Sequence, residues 1–137
     1  MRNKKIRIIE VTGELGAGTR GAGLGPAALR YADLNRGRRK INNYEMVWVD
    51  DINEVLRKPT NLEHAKYLDH IAKMLPQVAA KVETTLNDGL FPLIVSGDHS
   101  NAAGTIAGIK DHLGDKRLGV VWIDAHADLH SPYTTPS

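Results

Sequence analysis

Pro92-Leu93-Ile94-Val95-Ser96-Gly97-Asp98-His99-Ser100 is the stretch on which the fold turns. Its first four residues are apolar without alternation, the pattern of a strand covered on both faces, and Gly97 and Asp98 then break the run before a helical periodicity begins. Three other runs have the same character: Ile6, Ile8, Ile9 and Val11; Met46-Val47-Trp48-Val49; and Leu118-Gly119-Val120-Val121-Trp122-Ile123. All four read as buried strands. Downstream, a helix is expected from Ser100 to Leu113, with Ala103, Ile106, Ala107 and Ile109 toward the sheet and Gly114 as its stop. Upstream, Leu62, Ala65, Leu68, Ile71, Ala72, Leu75, Val78, Ala79, Val82 and Leu86 recur at steps of three and four. They predict one long crossover helix, opened by the capping box Thr60-Asn61-Leu62-Glu63, kinked at Pro76 and closed at Asn87-Asp88-Gly89. A shorter helix is expected to start at Pro26. Strands alternating with helices make a three-layer αβα domain with a mainly parallel, doubly wound sheet, whose ligands sit at the carboxyl ends of the strands. Residues 1–137 read as part of one such domain, cut after the fourth strand because Pro132 to Ser137 is turn-like and no closing helix follows.

Composition agrees with a chain made and kept in water. Of 137 residues, 42% are hydrophobic and 25% charged, which excludes disorder and collagen-like structure. Lys and Arg number 18 against 16 Asp and Glu, and a net charge of +2 gives no general attraction to nucleic acid or membrane. Cysteine is absent, so disulfides, thiolate catalysis and Cys-ligated zinc are excluded and a cytoplasmic setting is expected. The basic opening is followed only by a short apolar run interrupted by charge, so neither a signal peptide nor a membrane span is read there.

The chemistry-bearing residues sit where a doubly wound fold keeps its ligands. Ile123-Asp124-Ala125-His126-Ala127-Asp128 leaves the fourth run with polar groups at every second position, and continued extension would put Asp124, His126 and Asp128 on one side. His99 leaves the neighbouring strand end in the same direction, although Asp98 or Ser100 could equally serve only to cap the following helix. Carboxylate and imidazole together suit Mn²⁺, Fe²⁺, Co²⁺ or Zn²⁺, with manganese the first expectation. Asp124 could bridge two ions, and a metal pair is a familiar means of activating water against an unreactive carbon.

These segments resemble the arginase or ureohydrolase family nearly end to end. Gly18-Thr19-Arg20-Gly21 through Gly25-Pro26-Ala27-Ala28-Leu29-Arg30 is similar to its glycine loop and first helix, Gly97-Asp98-His99-Ser100 to its first metal motif, and Asp124-Ala125-His126-Ala127-Asp128 to its second. The resemblance implies an arginase-like fold and hydrolysis of guanidinium groups at a binuclear manganese centre. It implies that His99 and Asp128 hold one ion and His126 the other, with Asp124 bridging and Asp128 also orienting the water-derived nucleophile. Leu129 to Ser137 resembles the arginase loop that grips the α-amino-acid end of the substrate rather than the agmatinase segment, so His130, Thr135 and Ser137 are the implied substrate contacts. Two positions depart from the family pattern: His130 stands where the family carries Asn, and Ser96 where a glycine is common. The implied substrate is L-arginine, the products ornithine and urea, and the assembly a homo-oligomer, either a trimer or a hexamer. Agmatine or another guanidino compound is the alternative substrate.

The family draws two further aspartate ligands, a proton-shuttling histidine and a substrate-binding glutamate from sequence beyond Ser137. Four protein ligands cannot fill two ions of about five or six coordinates each, so the chain reads as the amino-terminal half of an arginase, inactive alone. Rival readings are weaker. Gly16-Ala17-Gly18-Thr19-Arg20-Gly21 fits a dinucleotide fingerprint, but Asp50 lies beyond the roughly 20 residues such a site requires, and Pro26 puts the helix start past the glycines. Arg36, Arg38, Arg39 and Lys40 form a basic cluster with no interleaved aromatic residue, better read as a solvated turn than as a nucleic-acid contact. An inert metal-binding or interaction subunit is the third alternative. His64, His70, His112, Asp50 and Asp51 are assigned no role.

Overall fold

The computed structural model describes residues 5–58 and 60–135. Three strands form where the first three β-branched runs predict them: β1 (Ile6–Val11), β2 (Glu45–Val49) and β3 (Phe91–Ser96). All pair in parallel in the order β2-β1-β3, with Ile9 opposite Val47 on one side and Ile94 on the other. The helices are α1 (Gly25–Asn35), α2 (Leu68–Asn87) and α3 (Asn101–Leu113).

The central strand decides the layering. Ile9 and Val11 point to one face and pack with Val49 and with Met74, Val78 and Val82 of α2 into the core. The alternate residue Glu10 points to the other face, where its buried carboxylate pairs with Arg30 of α1 and accepts the indole N–H of Trp48. Helices α1 and α2 therefore cover opposite faces, and β1, whose two sheet neighbours are reached by crossovers of opposite direction, is the switch strand at whose carboxyl end ligands gather.

Helix α3 packs on α2 through a glycine seam. A Cβ on Gly108 would lie 2.3 Å from the Ala79 carbonyl oxygen, and one on Gly104 would lie 2.8 Å from that of Leu75. Gly104, Gly108 and Asn101 thus face inward, whereas Ala103 and Ala107, expected to face the sheet, are exposed. Close backbone approach, available only to glycine, sets the rotation of this helix in place of its apolar side chains.

Two expected elements differ. Helix α2 starts at Leu68, not at Thr60: the Thr60 hydroxyl accepts the Leu62 N–H in a local turn, and Ala65 and Tyr67 sit at φ 48° and 60°, left-handed values that no α-helix contains. It then runs through Pro76 to Asn87, with Gly89 at φ 74° behind it. Residues 118–123, expected as a fourth strand, form none. They run near β3 and α3 but enclose a cavity of about 450 Å³ lined by Ile94, Ile106, Ile109, Leu118, Val120 and Trp122, and Ile123 stays 93% exposed. A parallel strand is stable when covered on both faces, and among the described residues nothing covers this run from outside. No helix among the described residues is long and apolar enough to cross a membrane.

Candidate metal centre

Two loops meet at the carboxyl ends of β1 and β3. The turn after β3 is tied to the glycine loop by Asp98, whose Oδ2 accepts the Gly16 N–H at 2.9 Å while Oδ1 accepts the Ser100 N–H at 2.9 Å and its hydroxyl at 2.5 Å. Asp98 is therefore a turn and helix-start acceptor, the bland alternative, and it holds the backbone beside His99. Gly97 is required here: a Cβ would sit 2.5 Å from the Gly13 carbonyl oxygen. The glycine loop is itself organised by Glu14, a buried carboxylate that accepts the N–H groups of Gly21 and Gly23 at 2.8 and 2.9 Å and pairs with Arg20. Those N–H donors are spent on a carboxylate within the chain rather than turned outward to a phosphate.

Against this rigid turn the 122–128 segment brings its acids. His99 Nδ1 lies 3.3 Å from Asp124 Oδ2 and 3.7 Å from Asp128 Oδ2, and one ligand-type atom from each of the three residues falls within 4.8 Å of the others. Donors held about 2.1 Å from one ion stand about 3 to 4.2 Å apart; the two His99 separations fall in that range, while the group as a whole, at up to 4.8 Å, is slightly wider than a closed coordination shell. One imidazole nitrogen with two carboxylate oxygens and no thiolate also fits manganese by donor type. Asp128 reaches the group through a left-handed backbone, φ 51°, which folds its carboxylate back toward Trp122. Trp122 donates its indole N–H to Asp128 Oδ2 at 2.9 Å and stacks on the His99 ring at 4.8 Å between centroids.

The other expected residues stand apart from that group. The 124–128 backbone bends rather than continuing extended, so period two does not hold and His126 leaves the common side. It lies instead on the second oxygen of Asp124: its N–H and Nδ1 are 2.7 and 3.0 Å from Oδ1, with the ring 85% exposed. Asp124 thus faces His99 with one oxygen and His126 with the other. The backbone N–H of His126 is the main cause that holds the Asp124 carboxyl below the usual carboxylate range; desolvation, next in size, opposes it, and the His126 ring and the charges of His126 and His99 add to the lowering. His130 Nδ1 is 3.4 Å from the Thr134 hydroxyl, within a turn where the Thr134 and Thr135 N–H groups both bond the Ser131 carbonyl. Thr135 directs its carbonyl oxygen to His64 Nδ1 at 3.2 Å, and Ser137 lies outside the described residues.

Three contributors escaped sequence reasoning. Glu14 had a usable signal, a carboxylate inside a glycine-rich loop whose N–H groups need acceptors. Trp122 stands in an apolar run whose pattern predicts strand core, although an indole N–H seeks a partner. His64 carried no signal, since its contact with Thr135 spans 71 positions.

Comparisons with known proteins bear on the family and the fold. A model described as the Arginase family matches residues 4–137. An arginase of Brevibacillus brevis is 40% identical over 136 residues, covering 98% of this chain and 45% of that protein. The crystal structure of arginase from Bacillus subtilis superposes with a TM-score of 0.71 at 36% identity, covering 98% of this chain and 42% of that one. That of Entamoeba histolytica arginase in complex with L-ornithine gives 0.78 over the whole of this chain and 47% of its own, at 22% identity a likeness of fold alone. The chain spans about 45% of the length of the curated relatives it matches. With the family model covering it almost from end to end, this chain belongs to the arginase family.

Proposed function

We propose that residues 1–137 form part of a single α/β domain that carries the His99, Asp124, His126 and Asp128 share of a manganese centre hydrolysing the guanidinium group of L-arginine to ornithine and urea. The observation that carries this reading is the convergence of His99 Nδ1 with carboxylate oxygens of Asp124 and Asp128 within 4.8 Å at the strand ends. His99 and Asp128 would hold one ion and His126 the other, with Asp124, flanked by both histidines, between them. Manganese bound there would act as a Lewis acid and lower the pKa of water at neutral pH. Asp128 would also orient the water-derived nucleophile, and the Gly97–Asp98 turn keeps His99 in place. His130, Thr135 and Ser137 would address the α-amino-acid end of the substrate, on a segment that His64 fastens to the body. We further propose a cytoplasmic protein acting on a small molecule, with no nucleic-acid or membrane partner, and a trimer or hexamer for the whole enzyme.

Ligand counting limits what these residues do unaided. Two ions need more donors than four side chains offer, so the 137-residue chain is proposed to bind one manganese and to release no urea until further carboxylates are supplied. The test is metal content of the purified chain and of D124A, alongside urea release from arginine and from agmatine. One ion per chain, lost in D124A, with no urea, is expected. Two ions with arginine turnover would overturn the limit, turnover of agmatine alone would replace the substrate, and equal metal in both proteins would leave an inert relative of the enzymes.

A further inference from the structure

We propose that Trp122 is a positioning residue that sets two ligands of the cation group at once, an inference that rests on the metal reading above. Its ring lies against His99 with 4.8 Å between centroids and 30° between planes, and its N–H is donated at 2.9 Å to Asp128 Oδ2. The same Asp128 oxygen is the one 3.7 Å from His99 Nδ1, so one side chain touches both members of that pair from behind. The two contacts have different consequences. Stacking limits rotation of the His99 ring, which otherwise stands half open to solvent on a turn, and so fixes where Nδ1 points. The indole N–H occupies one lone pair of Asp128 and fixes the carboxylate plane, which a left-handed backbone at φ 51° alone would leave swinging. Residues 118–123 form no strand and Trp122, at the rim of the apolar cavity, remains 49% exposed, so its contacts with His99 and Asp128 are what orient the ring at the site. Outer partners of this kind typically change metal affinity 10- to 100-fold.

The chain has two tryptophans, Trp48 and Trp122, which makes the test direct. Manganese is titrated into the full chain, with free ion followed by electron paramagnetic resonance and indole emission followed in a W48F background where only Trp122 reports. Emission quenched with the same midpoint as ion uptake is expected. W122F, which keeps an aromatic face but no donor, is expected to bind about tenfold more weakly, and W122L, with neither, about a hundredfold. The metal-free melting temperatures of both should match that of the parent, which a purely structural tryptophan would not allow. Parent-like affinity in W122F and W122L, with binding abolished by D124A, would overturn the positioning role and leave the metal site standing. Absence of manganese uptake by the parent would overturn both.

Discussion

The body built on β1 and the segment after α3 carry equally apolar sequence and behave in opposite ways. Ile9, Val11, Val78 and Val82 have no exposed surface, whereas Val121 is 87% exposed and Ile123 93%. The difference lies in cover. In the body each strand is met by helices, α2 and α3 approach to backbone contact along Gly104 and Gly108, and the buried Glu10 is answered by Arg30. After residue 117 the chain is placed by a few polar and aromatic contacts at the site: Trp122 with His99 and Asp128, Asp124 with His99 and His126, and Thr135 with His64. One region is held by burial and the other by function-bearing side chains.

Substitutions in the body should have the largest effects. In G108L the new side chain would enter the Ala79 backbone, and loss of cooperative folding, or a cost above about 4 kcal/mol by denaturant unfolding, is expected. A cost below about 1 kcal/mol would mean that the glycine seam is not tight. Next comes E10A, which strands Arg30 under α1. Arg30 keeps some solvent access, so about 3 kcal/mol is expected by the same measurement, and R30M should behave alike. If E10A is neutral, the second face of the sheet is not organised by this pair.

The segment after α3 should be nearly silent in stability. V121S and I123S are each expected to change unfolding free energy by less than about 0.5 kcal/mol, since neither side chain leaves water. A loss of about 2 kcal/mol from either would show that 118–123 is packed as a strand in solution, and the contrast between the two regions would fall. The smallest effect concerns Asp124. Its depressed pKa means that its favourable contact is complete above the ordinary carboxylate range and fades only as pH falls below it. A carboxyl titration by NMR should place its midpoint below that of an unperturbed aspartate, and H126A should recover only part of the shift, because the backbone N–H that dominates it remains. Full recovery would assign the effect to the ring instead.

Legibility in the sequence follows the same division. β1, β2 and β3 were readable because their apolar runs end in loops, although only β1 is buried along most of its length and Trp48, Phe91 and Leu93 stay exposed. The ends of α2 and α3 at Gly89 and Gly114 were readable from glycine chemistry. The rotation of α3 was not, since apolar counting rewards Ala103 and Ala107 and is blind to a seam made by the absence of side chains. The meeting of His99, Asp124 and Asp128 was expected from ligand-type residues following neighbouring apolar runs, and the structure brings these three side chains together. His126 was misplaced because period two assumes an extended chain, which holds only where a partner strand enforces it, and Trp122 because an indole in an apolar run looks like core until its N–H finds Asp128.

On the metal reading, the exposed segment is arranged around a cation rather than around a core. The most direct test of that reading is a manganese titration of the isotopically labelled chain watched by two-dimensional NMR, in which the paramagnetic ion broadens signals within a short radius. The imidazole signals of His99 and His126 and the backbone signals around Asp124 and Asp128 are expected to broaden first, while those of the α2–α3 seam at Ala79 and Gly108 persist. Broadening centred on His64, His70 or His112, or uniform loss across the chain, would contradict that reading.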